Sequence, residues 1–324
     1  MRAVWLREFG GPEVLVAGEA ADPVAGVGEV VVEVAYANIT FVETQFRAGG
    51  KGPFRAELPM VPGNGVGGVV AAVGEGVDGA MLGRRVVSST GGSGGYAERV
   101  AVPAAGLYQV PEGLALDDAV ALLADGRTAA MVLAAAEVAA GDTVLVEAAA
   151  GGVGSLLVQL ARAAGARVVA VAGGERKLAL ARELGAELAV DYRSDGWDRR
   201  IREALAGDGV DVVLDGVGGA IGRTAFGLLG IGGRIVSFGL SSGEWAGIPE
   251  AEATALGVRI LSAKASPEAM RRFTEAVLAE AAAGRLRPVI GQRFPLDRAA
   301  EAHRAMEARS TLGKTLLVIG DDGR

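Results

Sequence analysis

The stretch Asp142-Thr-Val-Leu-Val-Glu-Ala-Ala-Ala-Gly-Gly-Val-Gly-Ser-Leu-Leu-Val-Gln-Leu-Ala-Arg-Ala-Ala-Gly-Ala-Arg-Val-Val-Ala-Val-Ala172 decides the fold of the chain. An apolar run from Val144 to Val146 predicts a strand, and the glycines after it predict a turn. Leucines at helical spacing then precede a second apolar run from Val168 to Val171. The order strand, glycine turn, helix, strand is the unit that holds a dinucleotide pyrophosphate at a helix amino terminus.

The glycines of this turn have separate physical roles. Gly151 lets the backbone approach a pyrophosphate, and Gly154 lets the helix pack closely on the strand. Ala149 stands where the general G-x-G-x-x-G pattern has its first glycine, so the pattern alone also fits a glycine-rich turn of another α/β fold. Its place between a strand and a helix favours nucleotide binding. We expect the cofactor to contact Ala150, Gly151, Gly152, Val153 and Gly154.

The end of the second strand indicates which dinucleotide binds. Proteins that prefer NAD place Asp or Glu there, and this carboxylate would repel the 2′-phosphate of NADP, but the chain has Ala172. Glycines follow, the second being Gly174, and then Glu175, Arg176 and Lys177. Two cations would neutralise a phosphate, so the sequence favours NADPH over NADH. The alternative is that both belong to the solvated first turn of a helix.

Composition bounds the function classes. The chain has 324 residues, 50% of them hydrophobic, which suits two domains with buried cores. A net charge of −7 without a cationic stripe argues against nucleic acid or an anionic membrane as partner. Cysteine is absent, which excludes disulfides, a thiol nucleophile and cysteine-ligated metals and agrees with a cytoplasmic location. We expect neither a signal peptide nor a membrane span.

The pattern changes along the chain. Residues 2–99 are strand-like and punctuated by glycine, which predicts a β-rich, barrel-like domain. A helix starting at Asp117 is expected to break at Asp125–Thr128 before a second helix starts at Ala129. From Thr143 to Ser262 strands and helices alternate, which predicts a parallel sheet wrapped by helices with ligands at the carboxyl ends of the strands.

The one histidine, His303, lies in an amphipathic helical pattern near the carboxyl end. We expect a partly exposed structural histidine there, and neither Ser-His-Asp hydrolysis nor a histidine-rich metal site.

Over its full length the chain resembles the medium-chain dehydrogenase/reductase superfamily, in the zinc-free branch of NADPH:quinone oxidoreductases related to zeta-crystallin. The residues that carry the resemblance are Pro62-Gly63-Asn64, Gly94 to Glu98, the turn at 149–154, Lys177-Leu178, Leu184 to Ala186, Asp191 to Arg193 and Gly232 to Val236.

The resemblance implies an α/β fold with two domains. A GroES-like, β-rich barrel domain would be built from both chain ends, residues 1–122 and 267–324. A central Rossmann domain, residues 123–266, would carry the doubly wound parallel sheet that binds NADPH. The family further implies a substrate cleft between the domains and a homodimer formed through the edge of the Rossmann sheet.

The zinc ligands of related enzymes can be compared by position. The resemblance places Thr40, Asn64 and Ala124 where zinc-dependent relatives have cysteine, histidine and cysteine. None of these is a good zinc ligand, so we expect no metal. A quinone or similar conjugated carbonyl accepts hydride without a Lewis acid, because its π-system spreads the negative charge.

The resemblance also assigns cofactor contacts. It places around the nicotinamide Asn38, Thr40, Thr128, Phe238 and Gly239. It places Lys177 and Tyr192 near the 2′-phosphate, although Tyr192 could equally be a packed aromatic. Further expected cofactor contacts are Val217 and Leu240 at strand ends, and Arg309 at the phosphate end.

Thr40, Glu43, Asn64 and Asp125 are the candidate catalytic residues. The proton would come from Glu43, Asp125 or ordered water, while the alternative roles are a helix cap for Asp125 and an ion pair for Glu43. Relatives commonly read Asn-x-x-Asp/Glu-Thr-Tyr where this chain reads Thr40-Phe-Val-Glu-Thr-Gln45, so the choice of substrate is open.

Two other functions are compatible with the sequence. The first is reduction of an enone or enoyl thioester, for which Arg47, Lys51 or Arg55 would have to bind a phosphate-bearing substrate. The second is a nucleotide-binding protein without turnover.

Overall fold

The computed structural model describes residues 1–54 and 57–320. The chain divides into two compact units, one formed by Met1–Ala124 with Thr274–Arg324 and the other by Asp125–Phe273. We call them the terminal unit and the central unit.

The central unit contains a six-stranded sheet whose neighbouring strands all pair in parallel. Its strands are β8 (Thr143–Glu147), β9 (Arg167–Ala172), β10 (Leu188–Asp191), β11 (Val210–Asp215), β12 (Leu229–Ser237) and β13 (Arg259–Leu261). The helices between them are α3 (Gly152–Ala163), α4 (Glu175–Glu183), α5 (Trp197–Ala204), α6 (Gly219–Phe226) and α7 (Glu250–Ala255). The strand order β10-β9-β8-β11-β12-β13 reverses direction between β8 and β11, which is the Rossmann topology.

Burial explains why these strands form. β8 and β9 contain continuous apolar runs, Val144–Val146 and Val168–Ala172, since a parallel sheet is covered by helices on both faces. Leu145, Val169, Val213 and Ile235 are each 0% exposed and lie in one core cluster with Phe226 of α6. The carboxyl ends of the strands are thereby fixed as a rigid rim.

The terminal unit contains a second, seven-stranded sheet. Its strands are β3 (Glu29–Ile39), β4 (Gly65–Val73), β5 (Arg85–Ser89), β6 (Arg99–Pro103), β7 (Tyr108–Gln109), β14 (Ile290–Pro295) and β15 (Lys314–Val318), in the order β14-β15-β3-β4-β5-β7 with β6 also paired to β3. A separate antiparallel pair joins β1 (Arg2–Leu6) to β2 (Leu15–Glu19). Because β15 pairs with β3, both chain ends build one sheet, as a GroES-like domain requires.

The remaining helices are α1 (Phe41–Gly49), α2 (Leu116–Ala135), α8 (Pro267–Ala282) and α9 (Ala299–Glu307), and short 3₁₀ turns lie at Pro12–Val14, Gly79–Met81, Ala104–Gly106 and Leu296–Arg298. Two expectations about helices are corrected. α2 runs unbroken through Asp125–Thr128, because a single glycine inside a helix costs only about 1 kcal/mol and buried apolar residues on either side, such as Leu123 and Val132, hold the helix. α1 was expected to be part of a strand-like region, but Thr40 and Glu43 form a capping box that starts a helix.

Across residues 1–54 and 57–320, none of the helices is long and apolar enough to cross a membrane.

Replacing Gly68 with Ala tests the close pairing of β3 and β4. The added Cβ would lie 1.9 Å from the carbonyl oxygen of Glu33, so the strands must move apart. We expect the free energy of unfolding, measured by chemical denaturation, to fall by about 3 kcal/mol. The control is Gly79→Ala, whose Cβ would meet no atom within 4 Å and should change stability by less than about 0.5 kcal/mol. Equal effects of the two changes would contradict this packing.

Candidate functional site

The turn from β8 into α3 forms a cradle without side chains. A Cβ on Gly154 would lie 2.2 Å from the carbonyl oxygen of Ala148, and one on Gly152 would lie 1.9 Å from Asp125 Oδ2. Gly151 is the N-cap of α3 and makes no side-chain capping bond, so the helix start presents backbone amides. This geometry fits the pyrophosphate of a dinucleotide.

The end of β9 lies against Asp191 and Arg193. The backbone N–H of Gly174 donates to Asp191 Oδ2 at 2.9 Å, and Arg193 pairs with the same carboxylate at 2.8 Å. The Arg193 guanidinium holds the pKa of Asp191 down at about 2. It also covers both glycines, with Cδ 3.1 Å from a Cβ placed on Gly173 and Nη2 2.8 Å from one placed on Gly174. A cation therefore lies directly over the end of β9.

The two other side chains expected at this end of the sheet lie nearby. Tyr192 packs on the core cluster of the central unit, and its Cε2 lies 3.5 Å from a Cβ placed on Gly173. Lys177 is partly buried in the first turn of α4, whereas Arg176 beside it is exposed.

Arg193 was not among the candidate residues. The available signal was its position two residues beyond the end of β10, because β10 is the parallel neighbour of β9 and brings it to the same rim. The strand order could not be read from the local pattern.

The loops after β11 and β12 are bonded to each other. Phe238 N and Gly239 N donate to the carbonyl oxygen of Asp215 at 2.9 and 3.4 Å, and Ser242 N donates to that of Val217 at 2.9 Å. The Phe238 ring lies 2.8 Å from a Cβ placed on Gly216, so Gly216 must lack a side chain. Val217, Phe238, Gly239 and Leu240 thus lie together at one end of the sheet.

Thr40, Glu43 and Asn64 come together in the terminal unit. The N–H and Oγ1 of Thr40 both donate to Glu43 Oε2 at 2.7 Å, and the N–H of Asn64 donates to Oε1 at 3.1 Å. Burial raises the pKa of the Glu43 carboxyl, while the hydrogen bonds from Thr40 and the charge of Lys314 lower it. Both oxygens of Glu43 therefore hold backbone or hydroxyl groups in place.

Asn38 is the unusual residue of this cluster. Its side chain on β3 is 0% exposed, and within residues 1–54 and 57–320 neither amide atom has a hydrogen-bond partner. Its Nδ2 lies 2.5 Å from a Cβ placed on Gly65, so the glycine makes room for the amide. An unpartnered buried amide costs about 1 to 3 kcal/mol, and a ligand that bonded to it would recover that energy.

Three other candidates are placed as follows. Asp125 and Thr128 lie inside α2, so the idea that Asp125 caps a helix beginning after it is wrong. The Asp125 carboxylate instead lies against Gly152 in the first turn of α3, where a helix amino terminus favours negative charge. The guanidinium of Arg309 stacks over the ring of Phe41 at 5.8 Å.

His303 is not partly exposed, as the sequence pattern suggested, but 1% exposed. Its Nε2 and the Tyr96 hydroxyl oxygen lie 3.0 Å apart in a hydrogen bond, and burial lowers its pKa to about 3. The imidazole is therefore neutral and structural. The amphipathic pattern of α9 correctly indicated a helix but underestimated its burial.

The positions that correspond to zinc ligands hold a hydroxyl at Thr40, an amide at Asn64 and a methyl group at Ala124. In the part of the chain that the structure describes, no three His, Cys, Asp or Glu side chains cluster in a way that could hold a metal ion.

Comparison with known proteins adds to this geometry. Residues 152–277 match a family model described as zinc-binding dehydrogenase, and residues 26–112 match one described as alcohol dehydrogenase GroES-like domain. A quinone oxidoreductase from Homo sapiens is 33% identical over 98% of both chains. The quinone oxidoreductase of Escherichia coli, solved in complex with NADPH, is 29% identical with a TM-score of 0.90, covering 98% of this chain and 100% of its own. A solved structure described as NAD-dependent alcohol dehydrogenase is 34% identical with a TM-score of 0.90, covering 99% and 100%.

Asn38→Leu tests whether the buried amide is unpartnered in the protein alone. Removing a polar group that lacks a partner should leave the free energy of unfolding unchanged or raise it by up to about 2 kcal/mol. The control is Thr315→Val, because the Thr315 hydroxyl accepts a hydrogen bond from Gln292 Nε2 at 2.6 Å and its loss should lower stability by about 1 kcal/mol. A larger loss for Asn38→Leu than for Thr315→Val would mean that the amide is satisfied.

Proposed function

Because the chain belongs to the medium-chain dehydrogenase/reductase family, in its branch of quinone oxidoreductases, we propose that it oxidises NADPH and passes the hydride to a quinone. The protein is an NADPH-dependent quinone oxidoreductase with a Rossmann and a GroES-like domain. The observation that carries the proposal is the glycine cradle from Gly151 to Gly154, set at the point where the strand order of a Rossmann sheet reverses.

For the cofactor we propose the following contacts. The amides of residues 150–154 hold the pyrophosphate at the start of α3, and Val217 and Phe238–Leu240 flank the nicotinamide half. The 2′-phosphate is bound by Gly174, Lys177, Tyr192 and, in addition, Arg193. Arg309 is proposed for the phosphate end of the cofactor. Support comes from Ala172, which brings no carboxylate, and from Arg193, which neutralises Asp191.

When bound, NADPH supplies the hydride, and the residues of the chain bind the cofactor, orient it and shield it from water. A quinone spreads the incoming charge over its π-system, so a Lewis acid is not needed, and the side chains of Thr40, Asn64 and Ala124 offer no zinc site. We propose that Thr40 Oγ1 and the Asn38 amide meet the acceptor. Glu43 then acts as a positioning residue, because its two oxygens fix Thr40 and Asn64.

The source of the proton belongs to the same proposal. Burial raises the pKa of Glu43 and so favours its protonated form, which would donate to Thr40 Oγ1, 2.7 Å away, as that hydroxyl gives its own proton to the reduced acceptor. Asp125 is the other candidate, and its contact with Gly152 favours a role at the start of α3 instead.

The enoyl-thioester alternative is less well supported. Arg47 is buried and bonds to the Gly10 carbonyl oxygen and to Glu307, so it is engaged within the terminal unit. Lys51 is exposed, and Arg55 lies outside the described residues.

We also propose a homodimer in the cytoplasm. The edge strand β13 exposes Ile260 at 49%, and Ile231 near the start of the adjacent strand β12 is 93% exposed. Exposed apolar side chains on a sheet edge favour pairing with a second copy. Sedimentation of the parent protein and of Ile260→Lys tests this, since the change should shift a dimer towards monomer, whereas a monomeric parent would contradict the proposal.

The activity is tested with chelator-treated protein. NADPH oxidation is followed with p-benzoquinone, phenanthrenequinone, a simple enone and a crotonyl thioester, with NADH and with NAD plus a primary alcohol in parallel. Quinone-dependent oxidation that prefers NADPH is the expected result. Faster turnover of the thioester would favour the first alternative, and NAD-dependent alcohol oxidation or binding without turnover would contradict quinone reduction.

Cofactor preference is tested by removing single cations. Lys177→Ala and Arg193→Ala should each raise KM for NADPH by at least about tenfold, corresponding to one charge-assisted contact with the 2′-phosphate. The loss should be larger for Arg193→Ala, because the Asp191 carboxylate is then no longer neutralised. KM for NADH should change by less than about twofold.

The matched control is Arg176→Ala, the exposed cation next to Lys177. If this variant loses as much NADPH affinity as Lys177→Ala, the phosphate is held by general charge and not by the proposed residues.

A further inference from the structure

Two buried carboxyl groups lie side by side at the point where the strand order of the central unit reverses. Glu147 is the last residue of β8 and Asp215 the last of β11, and the preceding residues Val146 and Leu214 are paired. Both side chains are 0% exposed. Neither was a candidate from the sequence, where they read as ordinary strand ends.

The hydrogen-bond donors are too few for two carboxylates. The single N–H of Val217 points at both groups, 3.0 Å from Glu147 Oε2 and 3.2 Å from Asp215 Oδ1. Asp215 also accepts from Gly218 N at 2.7 Å and from Ser237 Oγ at 2.7 Å. Glu147 Oε1 has no hydrogen-bond partner among the described residues.

Among the described residues, the groups that act on the ionisation of Glu147 include no cation. The groups that act on the ionisation of Glu147 are the carboxyl of Asp215 and the N–H groups of Gly216 and Val217. On the other side of β8, β9 contributes Val171 in register with Glu147. Gly222 of α6 lies against the pair, since a Cβ there would lie 3.0 Å from Asp215. Two carboxylates that both accept from the N–H of Val217 in a buried site would repel each other strongly.

We propose that Glu147 and Asp215 share one proton. As a positioning pair, they hold the loops after β11 and β12 in the conformation that binds NADPH. The effect on NADPH binding rests on the proposed function, whereas the shared proton does not depend on it.

The pair reaches both loops through named contacts. Its carboxyl oxygens hold the N–H groups of Val217 and Gly218 in the first loop. The bond from Ser237 Oγ fixes the end of β12, directly before Phe238. One shared proton thus links the ends of three adjacent strands, and its loss would add a second negative charge beneath a site that receives an anionic cofactor.

Burial, followed by the nearby charge of Asp215, raises the pKa of Glu147 well above its usual 4.5. The unfolded chain releases this proton above about pH 4.5, whereas the folded chain keeps it. The contribution to stability is therefore complete below that pH and falls as pH rises towards the pKa of the folded pair.

The first test uses the protein without cofactor. Chemical unfolding of the parent and of Glu147→Gln is measured from about pH 5 to about pH 9. Since glutamine carries the same hydrogen bonds without titrating, the unfolding equilibrium constant of the parent should rise relative to that of the variant by up to tenfold per pH unit. Infrared spectra should also show a protonated carboxyl band that the variant lacks.

The matched control is Asp211→Asn, an exposed carboxylate at the other end of β11, which should keep the pH dependence of the parent. A pH-independent difference between the parent and Glu147→Gln would overturn proton sharing. If Glu147→Gln does not fold, Asp215→Asn replaces it, because removing the Asp215 charge lowers the pKa of Glu147 and should reduce the stability lost between about pH 5 and about pH 9, whereas an unchanged pH dependence would overturn proton sharing.

The second test measures NADPH binding at neutral pH. Glu147→Ala should raise Kd about tenfold, and Glu147→Gln should recover most of that loss. Val146→Ala, an equally buried truncation one residue earlier, controls for destabilisation and should change Kd by less than about twofold. Equal weakening by all three would overturn the positioning role. A parent that binds no NADPH would sink the proposed function, while the unfolding and infrared data would still decide the shared proton.

Discussion

The contact between Gly154 and the carbonyl oxygen of Ala148 is the constraint on which the nucleotide site depends. A helix can start this close to the strand that precedes it only if its third residue has no side chain. The same turn brings the first residue of α3 against Asp125 of α2. The position of the helix amino terminus is therefore set by backbone packing, and the anion-binding amides follow from it.

Three carboxylates in this protein, those of Glu43, Asp191 and Asp215, hold backbone N–H groups in place. Glu43 holds the N–H groups of Thr40 and Asn64, and Asp191 holds that of Gly174. Asp215 holds those of Val217 and Gly218. In each case an acidic side chain fixes the backbone next to the end of a strand. An acidic residue near the proposed site can therefore have a structural role. Glu43, a candidate proton donor from the sequence, holds the N–H groups of Thr40 and Asn64.

Structural features formed by contiguous residues were predicted from the sequence better than features formed by residues that are distant in the chain. The Rossmann unit from β8 to β9 was predicted because its strand, glycine turn and helix are contiguous in the chain. α2 was wrongly divided because Gly126 and Asp125 look like breakers, whereas burial of the surrounding helix overrides that preference. Arg193 and the pair of Glu147 and Asp215 were missed because their partners come from neighbouring strands. Pairing order is a property of the folded sheet, which a local pattern does not contain.

The insertion of β15 between β14 and β3 has a consequence for biosynthesis. Residues 125–273 contain all six strands of their sheet, so this unit has its complete core once it leaves the ribosome. The other sheet is completed only when its last strand, β15 (Lys314–Val318), has been made. β15 pairs with β3, which lies almost three hundred residues earlier in the chain. During synthesis the Tyr36–Ile39 edge of β3 lacks its partner strand after residues 125–273 have been made, and in this interval the nascent chain is most open to wrong pairing or to chaperones.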